Sequence, residues 1–150
     1  MKHKFEVVID ASLDEVWAAF DDPENMGRWQ ANLASYTHKS GEPGQPGAVA
    51  ELVFNERGRP VGLTETITER RDPDFLAGTY ESRHGSTLIV NHFEAIDERK
   101  TRWTSWCNFR FRGTMKFLSL LVAGSIRKRT QGDMERFKLM VESDLAQGEK

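Results

Sequence analysis

A carboxylate in an otherwise apolar strand pattern is the first candidate for chemistry in this sequence. Val61, Leu63 and Ile67 recur at alternating positions around Glu65. Because side chains alternate between the two faces of a strand, Glu65 is expected to share their inward face. Burial in an apolar cavity raises the pKa of a carboxyl group, which could then serve as a general acid or base. The alternatives are an arginine or lysine partner, or a position at the mouth of the cavity.

A tyrosine hydroxyl is the second candidate. Tyr80 follows Leu76 and Gly78 at the spacing of one strand face. Its hydroxyl could donate a hydrogen bond to a ligand carbonyl, or it could be satisfied within an ordinary core. Glu65 and Tyr80 form a tentative catalytic pair for proton transfer.

Nucleophilic and metal chemistry are disfavoured. Cys107 is the single cysteine, so there is no internal disulfide, and a nucleophile there would need a neighbouring histidine or a helix N-terminus. The histidines lack the paired spacing of a zinc site. They are His3, His38, His84 and His92. A Gly-x-Ser-x-Gly nucleophile elbow is absent as well. We expect no metal and no cofactor.

Two late strand patterns offer a cavity wall. In 101–112, the face with Trp103, Ser105 and Cys107 is less charged than the face with the arginines. In 87–97 the alternation is ambiguous, because either the odd-numbered or the even-numbered residues could face inward. We favour the odd-numbered set, which includes Asn91, because it leaves His92 in water, although Ile96 argues against it.

The stretch from Gly113 to Gln147 predicts a long C-terminal amphipathic helix. At 100° per residue, one stripe collects the apolar and small side chains. These are Ser119, Val122, Ala123, Ile126, Thr130, Met134, Phe137, Val141 and, at the edge, Leu145. The stripe is bulky near its end and small in its first half. The small half leaves room beside a sheet, which either other side chains or a small apolar molecule would fill.

The first part of this helix, Met115 to Val122, is apolar nearly all round, since Phe117 and Leu121 point away from the stripe. It falls far short of the ~20 residues that span a bilayer. A lid or hinge, additional core and an interface all remain open for it.

Length and charge limit the function classes. A chain of 150 residues is long enough for one domain with a single core. A net charge of −2 gives no electrostatic footprint for nucleic acid. The chain starts directly in a strand pattern without a signal peptide, so we expect a cytoplasmic protein, either a monomer or a homodimer.

Periodicity and turn residues predict the order of the elements. A strand over His3 to Asp10 precedes a helix from about Leu13, where Ser12 and Glu15 form a capping box. A second short helix, with Pro23 in its first turn, ends near Trp29. Turn residues then separate six predicted strands of one antiparallel meander. These strands are 33–40, 48–56, 61–71, 75–83, 87–97 and 101–112.

Several motifs carry a family resemblance that covers about 1–147. They are Phe5-x-Val7-x-Ile9-x-Ala11-Ser12-x-x-x-Val16-Trp17-x-x-Phe20-x-Asp22-x-x-x-Met26-x-x-Trp29, then Thr64-Glu65-Thr66-Ile67 before Asp72-Pro73, Phe93 to Thr101, and Met134-x-x-Phe137-Lys138-x-x-Val141-Glu142. The sequence resembles the START-like superfamily, often labelled SRPBCC, which includes birch-pollen allergens, lipid-transfer domains and polyketide cyclase/dehydrase-like proteins.

This resemblance implies an α+β helix-grip fold: a curved antiparallel seven-stranded sheet wrapped around a long C-terminal helix, with two short helices after the first strand. It also implies binding of a hydrophobic small molecule between sheet and helix, while some members are cyclases, aromatases or hydroxylase components. The motifs specify the fold better than the function.

Three hypotheses follow. The leading one is a binder of a small hydrophobic molecule, for transport or sequestration. The predicted ligand contacts are Phe20, Trp29, Phe54, Leu63, Asn91, Trp103, Ser105, Cys107, Ser119, Val122, Ala123, Ile126 and Thr130. A polyketide cyclase/dehydrase-type enzyme using Glu65 and Tyr80 is the first alternative. A protein-interaction module of the chaperone-ATPase-activator type, docking through Phe117, Leu120 and Leu121, is the second.

Overall fold

The structure is a computed structural model that describes residues 2–148, with the side chains of residues 119–122 outside the described set. Its elements follow the predicted order. They are β1 (Lys2–Ile9), α1 (Leu13–Asp21), α2 (Met26–Trp29) after a 3-10 turn (Pro23–Asn25), β2 (Leu33–Ser40), β3 (Val49–Glu56), β4 (Arg59–Arg71), β5 (Phe75–Ser82), β6 (Gly85–Asp97), β7 (Lys100–Phe111) and α3 (Met115–Gly148).

One antiparallel sheet contains all seven strands, in the order β1-β7-β6-β5-β4-β3-β2. Each strand from β2 to β6 pairs with the next one along the chain, as a meander requires. The first strand adds at the far edge, beside β7. The helix-grip prediction is therefore confirmed.

A capping box starts α1, as the sequence predicts. The hydroxyl of Ser12 accepts a hydrogen bond from the Glu15 amide, and the Glu15 carboxylate accepts one from the Ser12 amide, at 3.2 and 3.0 Å. These two bonds satisfy amides that the first helical turn leaves without partners. The helix then presents Val16 and Trp17 to the core.

The face of the sheet that packs against the helices is called the inner face here. On it, residues opposite each other on neighbouring strands form rows. One row consists of Ala50, Glu65, Tyr80, Thr87 and Phe109. The next consists of Ile67, Gly78, Ile89, Cys107 and His3. Together the two rows bring residues from six strands to one surface.

The ambiguity over β6 is settled by burial. Asn91 and Phe93 are 7% and 1% exposed, whereas Leu88 on the alternate face is 41% exposed. The odd-numbered residues therefore face inward, as favoured. Ile96, which argued against this interpretation, lies on the surface with 42% of its area exposed.

Helix α3 is continuous over 34 residues, about 50 Å at 1.5 Å per residue. It begins two residues after the predicted start, following Gly113, whose φ of 59° suits glycine. The bulky side chains Met134, Phe137, Met140 and Val141 are buried. None of the helices in the described part of the chain is long and apolar enough to cross a membrane.

Two hydrophobic clusters lie inside the fold. The larger one joins β1, α1, α2, β6 and β7 to the second half of α3. The smaller one consists of Ala50, Leu52 and Phe54, with Leu33, Tyr36 and Leu63 packed against it. The inner face between and beside these clusters carries the polar side chains described next.

Candidate functional site

The centre of the candidate site is the Glu65 carboxyl in β4. Glu65 is only 6% exposed, as expected from the strand alternation. Its partner is neither arginine nor lysine: the Tyr80 hydroxyl, directly opposite on β5, donates a hydrogen bond of 2.6 Å to Oε2. The structure thus brings together the two residues that the sequence singled out for proton transfer.

The protonation behaviour of this pair follows from its burial. Burial raises the pKa of the Glu65 carboxyl, against the hydrogen bond from Tyr80, which lowers it. Burial, and then the negative charge of Glu65, raise the pKa of Tyr80 well above its ordinary value. The phenol therefore stays protonated at neutral pH and remains a donor, while Glu65 is the member of the pair that changes charge.

Tyr36, in β2, belongs to the same polar surroundings but was missed by the sequence analysis. It packs against the smaller cluster. Burial, and then the charge of Glu65, raise the pKa of its hydroxyl, which places it within electrostatic reach of the carboxyl. Its large ring, in a strand of mostly small and polar residues, marked it as a candidate for packing but did not indicate which face of the sheet it would take.

Polar residues continue along β6 and β7. The Trp103 indole donates a buried hydrogen bond of 3.0 Å to the Asn91 side-chain oxygen. The Ser105 hydroxyl and the Cys107 thiol lie 3.8 Å apart. Burial raises the pKa of Cys107, with the contact to Ser105 acting in the opposite direction. A buried thiol of this kind is a poor nucleophile.

Aromatic side chains fill the other end of the interior, which is called the aromatic end here. Phe137 of α3 is fully buried and lies 5.0 to 6.1 Å, between ring centroids, from Trp103, Trp29 and Phe20. Phe93 stacks on Trp103 at 5.6 Å. The predicted ligand contacts Phe20 and Trp29 thus lie among tightly packed rings.

The remaining predicted ligand contacts are distributed along the interior. Phe54 is buried, with the Arg129 guanidinium 4.9 Å above its ring, and Leu63 is half-buried beside Glu65 on β4. On α3, Ala123 is buried, while Ile126 and Thr130 are half-buried. Ser119 and Val122 lie outside the described side chains. Phe117, from the proposed docking patch, is 88% exposed, and its partners Leu120 and Leu121 are also outside the described side chains.

Two buried nitrogens lack a hydrogen-bond partner among the described residues. They are Nε1 of Trp29 and Nε2 of His3. The first is surrounded by the rings of the aromatic end. His3 faces Phe109 at 5.9 Å between ring centroids and pairs across the strands with Cys107.

An arginine clamp closes the aromatic end from outside. Arg70 of β4 donates to both oxygens of Asp21 and of Asp72, at 2.6 to 3.1 Å, and to the Gly44 carbonyl. Its guanidinium also lies 5.2 Å from the centroid of the Trp17 ring. These contacts fix the end of α1 and the loop before β3 to the sheet.

Two open grooves flank the interior. The first, of about 370 Å³, lies along β3 to β5 and is lined by Glu51, Gly62, Leu63, Thr64, Glu81, Ser82, Arg83 and Arg112. The second, of about 350 Å³, lies between α2 and β2 and is lined by Pro23, Glu24, Gly27, Leu33, Ala34, Ser35 and Tyr36. Tyr36 links this second groove to the surroundings of Glu65. Across the described residues, no group of three or more histidine, cysteine, aspartate or glutamate side chains is placed to hold a metal ion.

A comparison with protein families decides the affiliation. Residues 2–142 match the family described as polyketide cyclase / dehydrase and lipid transport. The chain belongs to this family. Its membership implies either hydrophobic ligand binding or polyketide cyclisation, and it leaves the ligand open. A search of curated proteins returned no significant match to the sequence.

Solved structures share the fold at low sequence identity. The Zhui aromatase/cyclase from Streptomyces sp. R1128 has a TM-score of 0.82 at 12% identity, over 97% of this chain and 95% of that one. A protein from Thermus thermophilus has a TM-score of 0.80 at 16% identity, over 96% and 99%. Ara h 8.0201 has a TM-score of 0.77 at 16% identity, over 95% and 98%. At these identities the similarity establishes the fold alone.

Proposed function

We propose that this protein binds a small hydrophobic molecule between the inner face of the sheet and the first half of α3. The observation that carries this proposal is incomplete burial of apolar side chains that point toward the helix. Leu63, Ile89 and Phe109, on β4, β6 and β7, are only half-buried, although they share a face with the aromatic end. Partly exposed apolar surface that lines an interior is the usual setting of a ligand site.

The interior beside the second half of α3 provides the comparison for this incomplete burial. There Phe93, Trp103 and Phe137 are 1%, 3% and 0% exposed, although Phe20 is only partly buried. If the first half were ordinary core, its facing side chains would be expected to reach similar burial. The groove between α2 and β2 supplies a route inward, since Tyr36 borders both the groove and the surroundings of Glu65.

Native mass spectrometry of freshly purified protein tests the proposal directly. We expect the folded protein to carry a small molecule that is lost on denaturation, or, if purified empty, to bind the neutral dye N-phenyl-1-naphthylamine. Failure of both results would overturn the proposal.

A matched pair of variants locates the site. Thr87 lies on the inner face beside Tyr80, and Leu88 is its exposed neighbour on the outer face. Thr87→Trp should fill the space and weaken dye binding about tenfold or more, whereas Leu88→Trp should leave it unchanged. Equal affinities of the two variants would place the dye elsewhere.

A second candidate function is proton-transfer catalysis of the cyclase/dehydrase type. The specific observation in its favour is the hydrogen bond between Tyr80 and the buried Glu65 carboxyl. A carboxyl whose pKa is raised by burial suits a general acid or base, with Tyr80 orienting it. Turnover of a polyketide-like substrate would be abolished in Glu65→Gln while substrate binding is largely retained. An unchanged rate in that variant would eliminate this candidate.

A further inference from the structure

The surroundings of Glu65 contain acidic groups and no cation among the described residues. The Tyr80 hydroxyl bonds to the carboxyl, and Tyr36 and Cys107 lie near enough for their ionised forms to act on Tyr80. No described lysine, arginine or histidine forms an ion pair with Glu65. Any charge that develops on this part of the inner face is therefore negative.

Two basic side chains on the inner side of the sheet, Arg129 and His3, are engaged or neutral. Arg129 of α3 pairs with Glu56 and donates to the Ala31 carbonyl, with its guanidinium over the Phe54 ring. Burial, and then the charge of Arg127, lower the pKa of His3, so its imidazole is neutral at physiological pH. Neither side chain supplies a counter-charge to the carboxyl.

Short side chains and aromatic rings lie next to the carboxyl. Ala50 lies opposite Glu65 on one side, and Thr87 lies opposite Tyr80 on the other, so short side chains flank the pair. The phenol rings of Tyr36 and Tyr80 border the same region. Aromatic faces attract a cation within about 6 Å of the ring centroid.

We propose that the bound molecule carries a protonated amine that pairs with Glu65, joined to a small hydrophobic group that lies against the half-buried residues of β4 to β7. This inference rests on the proposed function. The inference deepens the proposed function by assigning the charge and the head group of the ligand.

A buried carboxylate such as Glu65 has to be balanced by another group. A neutral donor, the Tyr80 hydroxyl, is already in place at 2.6 Å. Ionised carboxylates inside proteins are normally paired with an opposite charge, because a hydrogen bond from a neutral group offsets only part of the desolvation. An ammonium group on the ligand supplies that charge, and a carboxylate ligand such as a fatty acid would be repelled.

Three probes of one shape test this: 4-phenylbutylamine, 4-phenyl-1-butanol and 4-phenylbutyrate, each displacing the neutral dye N-phenyl-1-naphthylamine at pH 7. We expect the amine to bind about tenfold tighter than the alcohol, and the alcohol tighter than the carboxylate, as for a desolvated charge pair. In Glu65→Gln the amine should lose this advantage, so that amine and alcohol bind within about threefold of each other. Tyr80→Phe keeps the carboxylate and should keep the preference for the amine.

The possible outcomes separate the two proposals. If the dye binds to both wild type and Glu65→Gln but the amine is no tighter than the alcohol, the charged head group is wrong and the hydrophobic site stands. An amine preference that persists unchanged in Glu65→Gln would also overturn the inference. If neither dye nor any probe binds to the wild type, both proposals fail.

Discussion

The two ends of the interior are built from the same sheet and the same helix, yet they differ in kind. At the aromatic end, Phe137 is fully buried within 6.1 Å, between centroids, of three other rings. At the other end, the Glu65 carboxyl and the phenols of Tyr80 and Tyr36 share one polar region of the inner face. Among the described side chains in the first half of α3, Ala123 is buried. Under the proposed function, stability and ligand recognition would be separated along one helix. The aromatic end holds the fold together, so the polar end is free to keep incompletely buried surface.

Truncation at the aromatic end is expected to have the largest effect. Phe137→Ala should reduce the free energy of unfolding by about 3–5 kcal/mol, because it removes a fully buried ring and leaves a cavity among rigid neighbours. Urea denaturation measures this loss. Leu139→Ala, at a side chain 63% exposed on the same helix, is the control and should change stability little. A small loss from Phe137→Ala would mean that this end is not the stabilising one.

Removing the contacts of Arg70, the arginine clamp, should destabilise the aromatic end. Arg70→Met keeps the length of the side chain but leaves Asp21 and Asp72 unpaired, and we expect a loss of about 2 kcal/mol in unfolding free energy. This loss of unfolding free energy is smaller than that expected for a fully buried ion pair, because both carboxylates are partly exposed.

Arg71→Met, at the adjacent residue with a side chain 65% exposed, is the matched control for this experiment. Its guanidinium lies 4.2 Å from the centroid of the Phe75 ring, so its loss should change stability by no more than about 1 kcal/mol. Equal losses from the two arginines would show that the clamp contributes nothing specific.

At the polar end, the bond between Tyr80 and Glu65 can be isolated by a double-mutant cycle. Tyr80→Phe, Glu65→Gln and the double variant should give a coupling energy of about 1.5 kcal/mol at pH 8, typical of a hydrogen bond to a charged group. Thermal or urea unfolding of the four proteins supplies the values. Additive effects would indicate that the two side chains do not interact in solution.

The pH dependence of stability gives the smallest and most selective effect. The pKa of Glu65 is raised in the folded state, so its protonated form favours folding; this contribution is complete below the unfolded pKa and is lost as the pH rises through the folded pKa. Each unit by which the two pKa values differ changes stability by ~1.4 kcal/mol.

Relative to wild type, Glu65→Gln should therefore become more stable as the pH rises from about 4 to about 8. Urea denaturation at both pH values tests this shift. A difference between the two proteins that stays constant with pH would show that burial does not perturb this carboxyl.

Sequence periodicity accounts for most of the fold and for the centre of the site. Glu65 could be placed because β4 keeps strict alternation from Leu63 to Ile67. Tyr36 could not, since the register of β2 shifts between Leu33 and Ser35, so that Leu33 and Tyr36 both face inward. Such a bulge inserts one residue into the alternation, and nothing in a sequence of small and polar residues marks its position.

Contacts between distant residues were also beyond sequence reasoning. Arg70 and Asp21 are 49 positions apart, and each is an ordinary charged residue in its own segment. The small residues along the first half of α3 predicted room beside the sheet. They could not tell which polar groups of the sheet would face that region, because this depends on the strand register.

The single cysteine is a natural probe of how the interior opens. Cys107 lies on the inner face and is 3% exposed, and its raised pKa keeps the thiol protonated and slow to react. A thiol-specific reagent can therefore modify the native protein only during moments when helix and sheet separate. At low reagent concentration, the modification rate reports the fraction of molecules in which helix and sheet are separated. At high reagent concentration, it reports the rate at which they separate. A bound ligand that holds helix and sheet together would lower both rates.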